Sequence, residues 1–395
     1  MDFRLTLASA LDRTEEYILA RDYRGWDPYD GLTAPCCGWP ILRSRRRLRW
    51  AWQQLVKRSP VDPRRWLGIR PGRNPVTLAL CLQAYADRDR AAGEPRRRQR
   101  AEGLVAELAG LATPGWSGPC WGYDFPWEGR FASTPARHPT VVATGFVTAG
   151  LWAAHEIWRT PRAASLVRGA ADFVRQDLQR VEFPDGFCWS YSPTDRQAVL
   201  NASGKGARIC AQARTLGAPA AAGEDAVAAA RFLAGRQRAN GSWPYSVSDD
   251  RGWVDHFHTG YVLDSLDEVI RLTGDRGLQE ARDRGFRYYL DHFFADGVVP
   301  RYYAHATFPV DATACGQALL TLVRFGELDR AARVASWCLD RMALPDGAFK
   351  YQLHARGENR QVFMRWSVAW LFAGLSRVEA ALAPKTAPSA FRTSP

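Results

Sequence analysis

AAARFLAGRQRANGSWPYSVSDDRGWVDHFHTGY (228–261) carries the plan of the whole fold. Residues 228–238 place apolar side chains at a 3.6-residue period, the mark of an amphipathic helix. Asn240-Gly241 is a turn signal, and Trp243 and Tyr245 follow as alternate positions of a short extended segment. A second, more apolar helix then starts near His256. One unit is therefore helix, aromatic turn, helix.

The unit recurs. A Gly leading into aromatics appears at Gly25-Trp26-Asp27-Pro28-Tyr29, Gly118 to Tyr123, Gly186 to Tyr191, Gly241 to Tyr245, Gly297 to Tyr302 and Gly347 to Tyr351, six copies in all. The more apolar helices begin near Asn74, Thr140, Leu200, His256, Val310 and Gln361, at spacings of 66, 60, 56, 54 and 51 residues. Small residues recur inside them, as in Thr144-Gly145, Thr259-Gly260 and Ala314-Cys315-Gly316. Gly costs a helix about 1 kcal/mol, so its repeated use points to helices whose backbones approach closely. Six hairpins closed into a ring meet that demand if the helix at about 3–19 serves as outer partner of the last inner helix, about 361–382. The expected fold is all-α, an (α/α)6 toroid of six helical hairpins with short aromatic β-turn loops at one mouth. Residues 1–383 form one domain on this view, with 34–73 as an insertion on the rim carrying a basic helix at about 42–56. Residues 384–395, with three Pro and no periodicity, are expected to be disordered.

Composition agrees with a large folded core. The chain has 395 residues, 46% hydrophobic, which excludes disordered and small disulfide-stapled classes. Eight scattered Cys without a CxxC pair are expected to be buried small hydrophobes, and no metal or organic cofactor is called for. The N-terminus has no apolar signal segment and no 18-residue apolar run exists, so a cytoplasmic location without a membrane span is expected. The net charge of +12 comes from 53 basic residues, of which only Lys57, Lys205, Lys350 and Lys385 are lysines. The basic runs 43–49 and 96–100 are read as solvated faces, with no nucleic-acid partner, since no groove-reading motif accompanies them.

CWGYDFPW (120–127), HPTVVATGF (138–146), FCWSYSP (187–193), VDHFHTGY (254–261) and MRWSVAW (364–370) resemble proteins encoded in bacterial exopolysaccharide clusters and known only as polysaccharide biosynthesis proteins. The likeness spans about residues 5–380 and implies the toroid fold, a cytoplasmic location and a glycan context. More loosely the chain is similar to toroid carbohydrate enzymes: sugar 2-epimerases, unsaturated glucuronyl hydrolases and glucuronyl C5-epimerases. Residues 231–243 also fit the Q-to-W repeat of terpene cyclases, although the DxDD and DDxxD motifs of that chemistry are missing.

In such a ring the loops before the inner helices converge on one cavity, where helix N-termini favour an anion. Asp255, His256 and His258 stand at an inner-helix start as proton-transfer candidates, against the competing reading of a helix cap beside a core histidine. Trp121, Tyr123 and Trp127 with Asp124 offer stacking faces and an acid or base. Arg301 and Tyr303 with Asp311, and Tyr351 with Arg365 and Trp366, offer anion clamps, Asp311 being base or cap. Arg365 beside aromatics must face an anionic ligand or a structural carboxylate. Trp189, Tyr191, Asn201 and Trp243 complete the candidate substrate-binding set. The expected function is acid/base chemistry on an acidic saccharide, as a hydrolase, lyase or epimerase. The alternatives are a terpene-cyclase- or prenyltransferase-like enzyme, and a non-catalytic glycan-binding scaffold. The sequence leaves the oligomeric state open.

Overall fold

Four of the six inner helices open where a short polar side chain takes up an orphaned backbone N–H. Asn74, Thr140, Asp255 and Asp311 stand in extended backbone, and their side chains accept from the N–H of Val76, Ala143, His258 and Thr313. The computed structural model describes residues 2–130 and 132–384, so nearly all of the C-terminal tail lies outside the described residues. In chain order the helices are α1 (Phe3–Leu19), α2 (Pro40–Ser44), α3 (Arg46–Arg58), α4 (Pro75–Ala91), α5 (Pro95–Gly110), α6 (Val141–Trp158) and α7 (Pro161–Asp172). Then follow α8 (Leu200–Thr215), α9 (Ala220–Gly235), α10 (His256–Thr273), α11 (Gln279–His292), α12 (Ala312–Arg324), α13 (Leu328–Arg341) and α14 (Trp370–Leu382).

The even-numbered helices from α4 to α14 pack side by side in a circle that closes from α14 back to α4. The N-terminal α1 packs on α13 and α14, supplying the twelfth helix from the far end of the chain. The fold is the (α/α)6 toroid. Burial explains why two helix types alternate. Thirteen of the 17 residues of α4 and fourteen of the 16 of α8 are buried, so the inner helices lack a polar face. The outer α13 buries only Ala331, Val334, Ala335 and Cys338, a single stripe. Close approach accounts for the inner glycines. A Cβ on Gly316 would stand 2.5 Å from the Trp370 carbonyl oxygen, and one on Gly374 2.7 Å from that of Gly316.

Two inner helices start later than the spacing predicts. Val310 and Asp311 pair with Leu353 and Gln352 in a small three-stranded sheet, which delays α12. The last inner helix opens with a wider π-helical turn, Met364–Ala369, before α14. The basic helix expected at 42–56 is divided into α2 and α3 by extended backbone at Arg45. Residues 34–73 stand outside the ring and keep a small core of their own, Ala34, Val56 and Ile69.

The seam where the two chain ends meet is held by buried charge. Arg88 of α4 donates to Glu15 (2.8 Å) and Asp12 (2.6 Å) of α1 and to Glu379 (3.1 Å) of α14. Removing one partner of a buried ion cluster strands the others. Arg88→Met is therefore expected to lower stability in urea unfolding by about 3–5 kcal/mol. Arg98→Ala, which breaks the exposed Arg98–Glu102 pair, should change it by less than about 1 kcal/mol. Equal effects would show that the seam is not closed by Arg88.

Candidate functional site

At the mouth, the inner-helix starts and the loops before them enclose a cavity of about 270 Å³. Its wall combines aromatic faces with seven tyrosine side chains, one histidine, one aspartate and one arginine. Burial pushes the phenols of Tyr191, Tyr261 and Tyr302 well above their ordinary pKa, so they stay protonated and able to donate.

Asp255 and His258 form a dyad on this wall. One carboxylate oxygen of Asp255 caps α10 through the His258 N–H (2.9 Å), and the other lies 2.6 Å from His258 Nδ1. With Asp255 accepting from Nδ1–H, Nε2 is left as the basic nitrogen. Tyr245 stands edge-on to the imidazole, ring centroids 4.7 Å apart, and is itself stacked on Trp253 at 4.8 Å. The helix cap that the sequence offers as one of two readings is present, and the same carboxylate also holds the His258 ring.

Arg365 is buried in the wall and donates to both oxygens of Asp27, at 2.6 and 2.9 Å. The carboxylate it requires is thus supplied by the protein. Its guanidinium lies over the rings of Tyr123 (4.7 Å) and Trp366 (5.1 Å). The network continues outward, for Arg64 bonds Asp30 (2.8 Å) and the Asp27 carbonyl (2.8 Å). Burial lifts the Asp30 carboxyl to about 7 despite Arg64.

Of the residues singled out from sequence, Tyr123, Trp127, Tyr191, Asp255, His258, Tyr303, Arg365 and Trp366 meet on the cavity wall. Asp124 lies instead in a neighbouring cleft of about 890 Å³ that also reaches Asp27, Arg65, Arg70 and Arg365. There it accepts from Asn74 Nδ2 (2.6 Å), and burial raises its pKa. Asp311 sits behind the wall, accepting from Trp366 Nε1 (3.0 Å) and Gln352 (2.8 Å) and holding that indole in place. Burial raises its pKa to about 6.

The other expectations are corrected by packing. Trp121 and Trp243 are core bolts whose indole N–H groups donate to the carbonyls of Leu108 (2.8 Å) and Leu233 (2.9 Å). Trp189 is fully buried against Phe187. Tyr351 is buried edge-on to Phe363. Asn201 is buried behind the wall, beside Trp243. Arg301 is turned to the Ala304 carbonyl rather than to the cavity. His256 is fully buried among Tyr289, Phe293 and Phe294, and burial drops its pKa to about 3.

Wall residues outside the candidate set drawn from the sequence include Tyr29 and Tyr245, each the later aromatic of a repeated turn, and Tyr261, one helical turn beyond His258; Tyr302, beside Arg301 and Tyr303, is on the wall as well. Phe146, Tyr261 and Trp370 form the floor and also line a polar cavity of about 330 Å³ at the other end of the ring. The Lys205 amine lies under that floor, 3.8 Å from the Phe146 ring centroid and 4.0 Å from that of Tyr261. Burial and the neighbouring Arg208 hold its pKa well below the ordinary value. Among the described residues no group of three or more His, Cys, Asp or Glu could hold a metal ion. No described helix is long and apolar enough to cross a membrane.

No protein-family model matches the chain, and no curated protein matches it in sequence, so the likeness to exopolysaccharide-cluster proteins has no such match behind it. Solved structures do match. An unsaturated glucuronyl hydrolase from Bacillus sp. GL1 aligns at TM-score 0.59 and 14% identity over 95% of this chain and 96% of that one. A cellobiose 2-epimerase from Spirochaeta thermophila aligns at 0.58 and 11%, over 79% and 87%. An α-mannanase from Bacteroides thetaiotaomicron aligns at 0.57 and 10%, over 77% and 86%. These are carbohydrate enzymes of the toroid fold, and at such identities the likeness shows the fold alone.

Burial gives His256 a pH signature. The folded chain keeps it neutral down to about 3, while the unfolded chain takes up its proton near 6.5. Its contribution to stability is therefore complete above 6.5 and lost as pH falls toward 3. His256→Leu should lose about 2 kcal/mol less stability than the parent between pH 7 and pH 5. Urea unfolding at the two pH values measures this, and an unchanged difference would mean His256 is not held neutral.

Proposed function

We propose that the protein is an enzyme acting on a saccharide, with His258 moving a proton at a carbon next to a carbonyl or carboxylate. The observation that carries this is the Asp255–His258 dyad opening on a tyrosine-walled cavity. Aromatic faces stack on sugar rings, and the phenols can hydrogen-bond their hydroxyls. His258 Nε2 takes the proton from carbon and the electron pair passes to the adjoining oxygen as an enolate. Protonation of the opposite face by a wall phenol, with the proton on His258 lost to solvent and the phenol reprotonated from it, epimerises the centre, and expulsion of the group on the next carbon is elimination. Asp255 steadies the imidazolium formed on the way.

Two-carboxylate hydrolysis is less well supported, because Asp255 is the one carboxylate on the described wall and Asp124 and Asp311 lie off it. An isoprenoid reaction would favour an apolar wall, and this wall carries phenols, an ion pair and the dyad. A purely structural role would favour a filled centre. The acidity of the sugar is supported by the rim cleft, which Arg65 and Arg70 line together with Arg365, since Arg365 itself is neutralised by Asp27.

The test is incubation with neutral disaccharides and uronate-containing oligosaccharides in heavy water, followed by mass spectrometry. One substrate is expected to gain a single deuterium or to eliminate. His258→Gln should slow this by about 10²–10⁴-fold. Asp255→Asn is informative because Asn also caps helices well, so loss of rate with retained stability separates the chemistry from the cap. If no sugar exchanges or eliminates, or if both variants keep full rate on one that does, the proposal fails.

A further inference from the structure

The charge and the exposed apolar side chains of this protein are concentrated in one place. Residues 34–73 hold ten Arg, one Lys and one Asp, a net charge of +10, which leaves +2 for the other 355 residues of a chain with net charge +12. Among the described residues eleven large hydrophobic side chains stand exposed, and seven fall between 39 and 66. They include Trp66 (80% exposed), Ile41 (69%), Trp39 (67%) and Leu55 (67%). Arg43, Arg45, Arg47, Arg58 and Arg70 are exposed as well and make no ion pair with a described residue.

The segment is held rigidly from behind. Gln53 exchanges two hydrogen bonds with the Glu128 backbone (3.1 and 2.9 Å), Arg49 pairs with the Glu128 carboxylate (2.9 Å), and Trp52 donates to the Gly31 carbonyl (3.0 Å). Lys57 donates to the Tyr29 hydroxyl (2.6 Å), which ties α3 to the mouth cavity. Helical spacing then turns Arg47, Leu48, Leu55 and Arg58 outward together. Two more exposed rings, Trp253 and Phe308, stand on loops before α10 and α12, at the same end of the ring.

We propose that residues 39–70 form a docking surface for an anionic membrane, on which the toroid sits mouth first. Arginines without partners meet lipid phosphates, and Trp, Ile and Leu side chains enter the headgroup layer. A protein partner is less well matched, because it would have to bury several unpaired arginines in one patch at a desolvation cost that lipid phosphates in a hydrated headgroup layer do not impose. Nucleic acid would use the arginines and leave Ile41, Leu48 and Leu55 without a role. Docking stands independently of the carbohydrate reading. The substrate it favours, a saccharide carried on a lipid, rests on that reading.

Sedimentation with vesicles tests it on the full chain. Binding is expected to vesicles of equal parts phosphatidylcholine and phosphatidylglycerol, to weaken with salt, and to be absent from phosphatidylcholine alone. The triple variant Arg43→Gln, Arg45→Gln, Arg47→Gln should bind about 100-fold more weakly, at about five-fold per arginine. Trp39→Ser with Trp66→Ser should also weaken binding, at unchanged thermal stability since both rings are exposed. No binding to the anionic vesicles overturns the proposal. So does a concentration-dependent dimer abolished by the tryptophan pair, or RNA binding that both variants affect while vesicle binding is unchanged. A variant that binds normally to sugar but not to vesicles would leave the carbohydrate reading intact.

Discussion

The ring depends on closing its two ends, and buried arginine does this at both rims. A six-hairpin circle has one place where its neighbours come from opposite ends of the chain: Arg365 and Asp27 are 338 residues apart, and Arg88 and Glu379 are 291 apart. At the mouth, Arg365 grips Asp27 in a two-point pair. At the other rim, Arg88 joins α1 to α14. A buried guanidinium is expensive unless fully paired, so each arginine tolerates one arrangement of the chain ends and penalises others. Arg365 is also an electrostatic keystone for the wall, since Asp27 fixes the loop that carries Tyr29 and Asp30, and Asp30 anchors Arg64 of the rim insertion. Cavity, insertion and the closure at the mouth are thus joined by one charge network.

Most of the architecture was legible in sequence because the repeated unit is locally coded. Each turn carries Gly and aromatics, and helix starts at Asn74, Thr140 and His256 fall where capping residues and periodicity place them. Closure by the N-terminal helix was legible too, as the one way to give the sixth inner helix a partner. Starts near 310 and 361 were misplaced by a few residues, since strand pairing to residues 352–354 and the π-helical turn are settled by tertiary contacts that periodicity does not register.

The wall was only half legible, and the reason is geometric. In Trp121-Gly122-Tyr123 and Trp243-Pro244-Tyr245 the first aromatic donates its indole N–H back to the carbonyl of an outer helix, while the second reaches the cavity. Two residues of extended chain, about 7 Å, separate a structural bolt from a wall residue. Repeat and composition mark both alike. In the same way two histidines two apart on α10 face opposite worlds, His256 the outer helix α11 and His258 the cavity, because a helix turns about 200° over two residues.

The capping position itself is where this fold has room for chemistry. Each Asn or Asp cap satisfies a helix N–H with one atom and has a second polar atom left over. Around the ring that second atom is used differently: Asn74 Nδ2 bonds Asp124, Asp311 Oδ2 takes up Gln352, and Asp255 Oδ2 takes up His258. The cap bond holds these three side chains before any function is asked of them. Of the three, only Asp255 lies on the cavity wall. A titratable partner placed three residues on, as His258 is from Asp255, then acquires a fixed orientation at almost no further entropic cost. The dyad is thus an elaboration of the device that starts the helix. That is why its position in the ring could be read from a capping pattern, while its distinction from the equivalent caps required the neighbouring side chains.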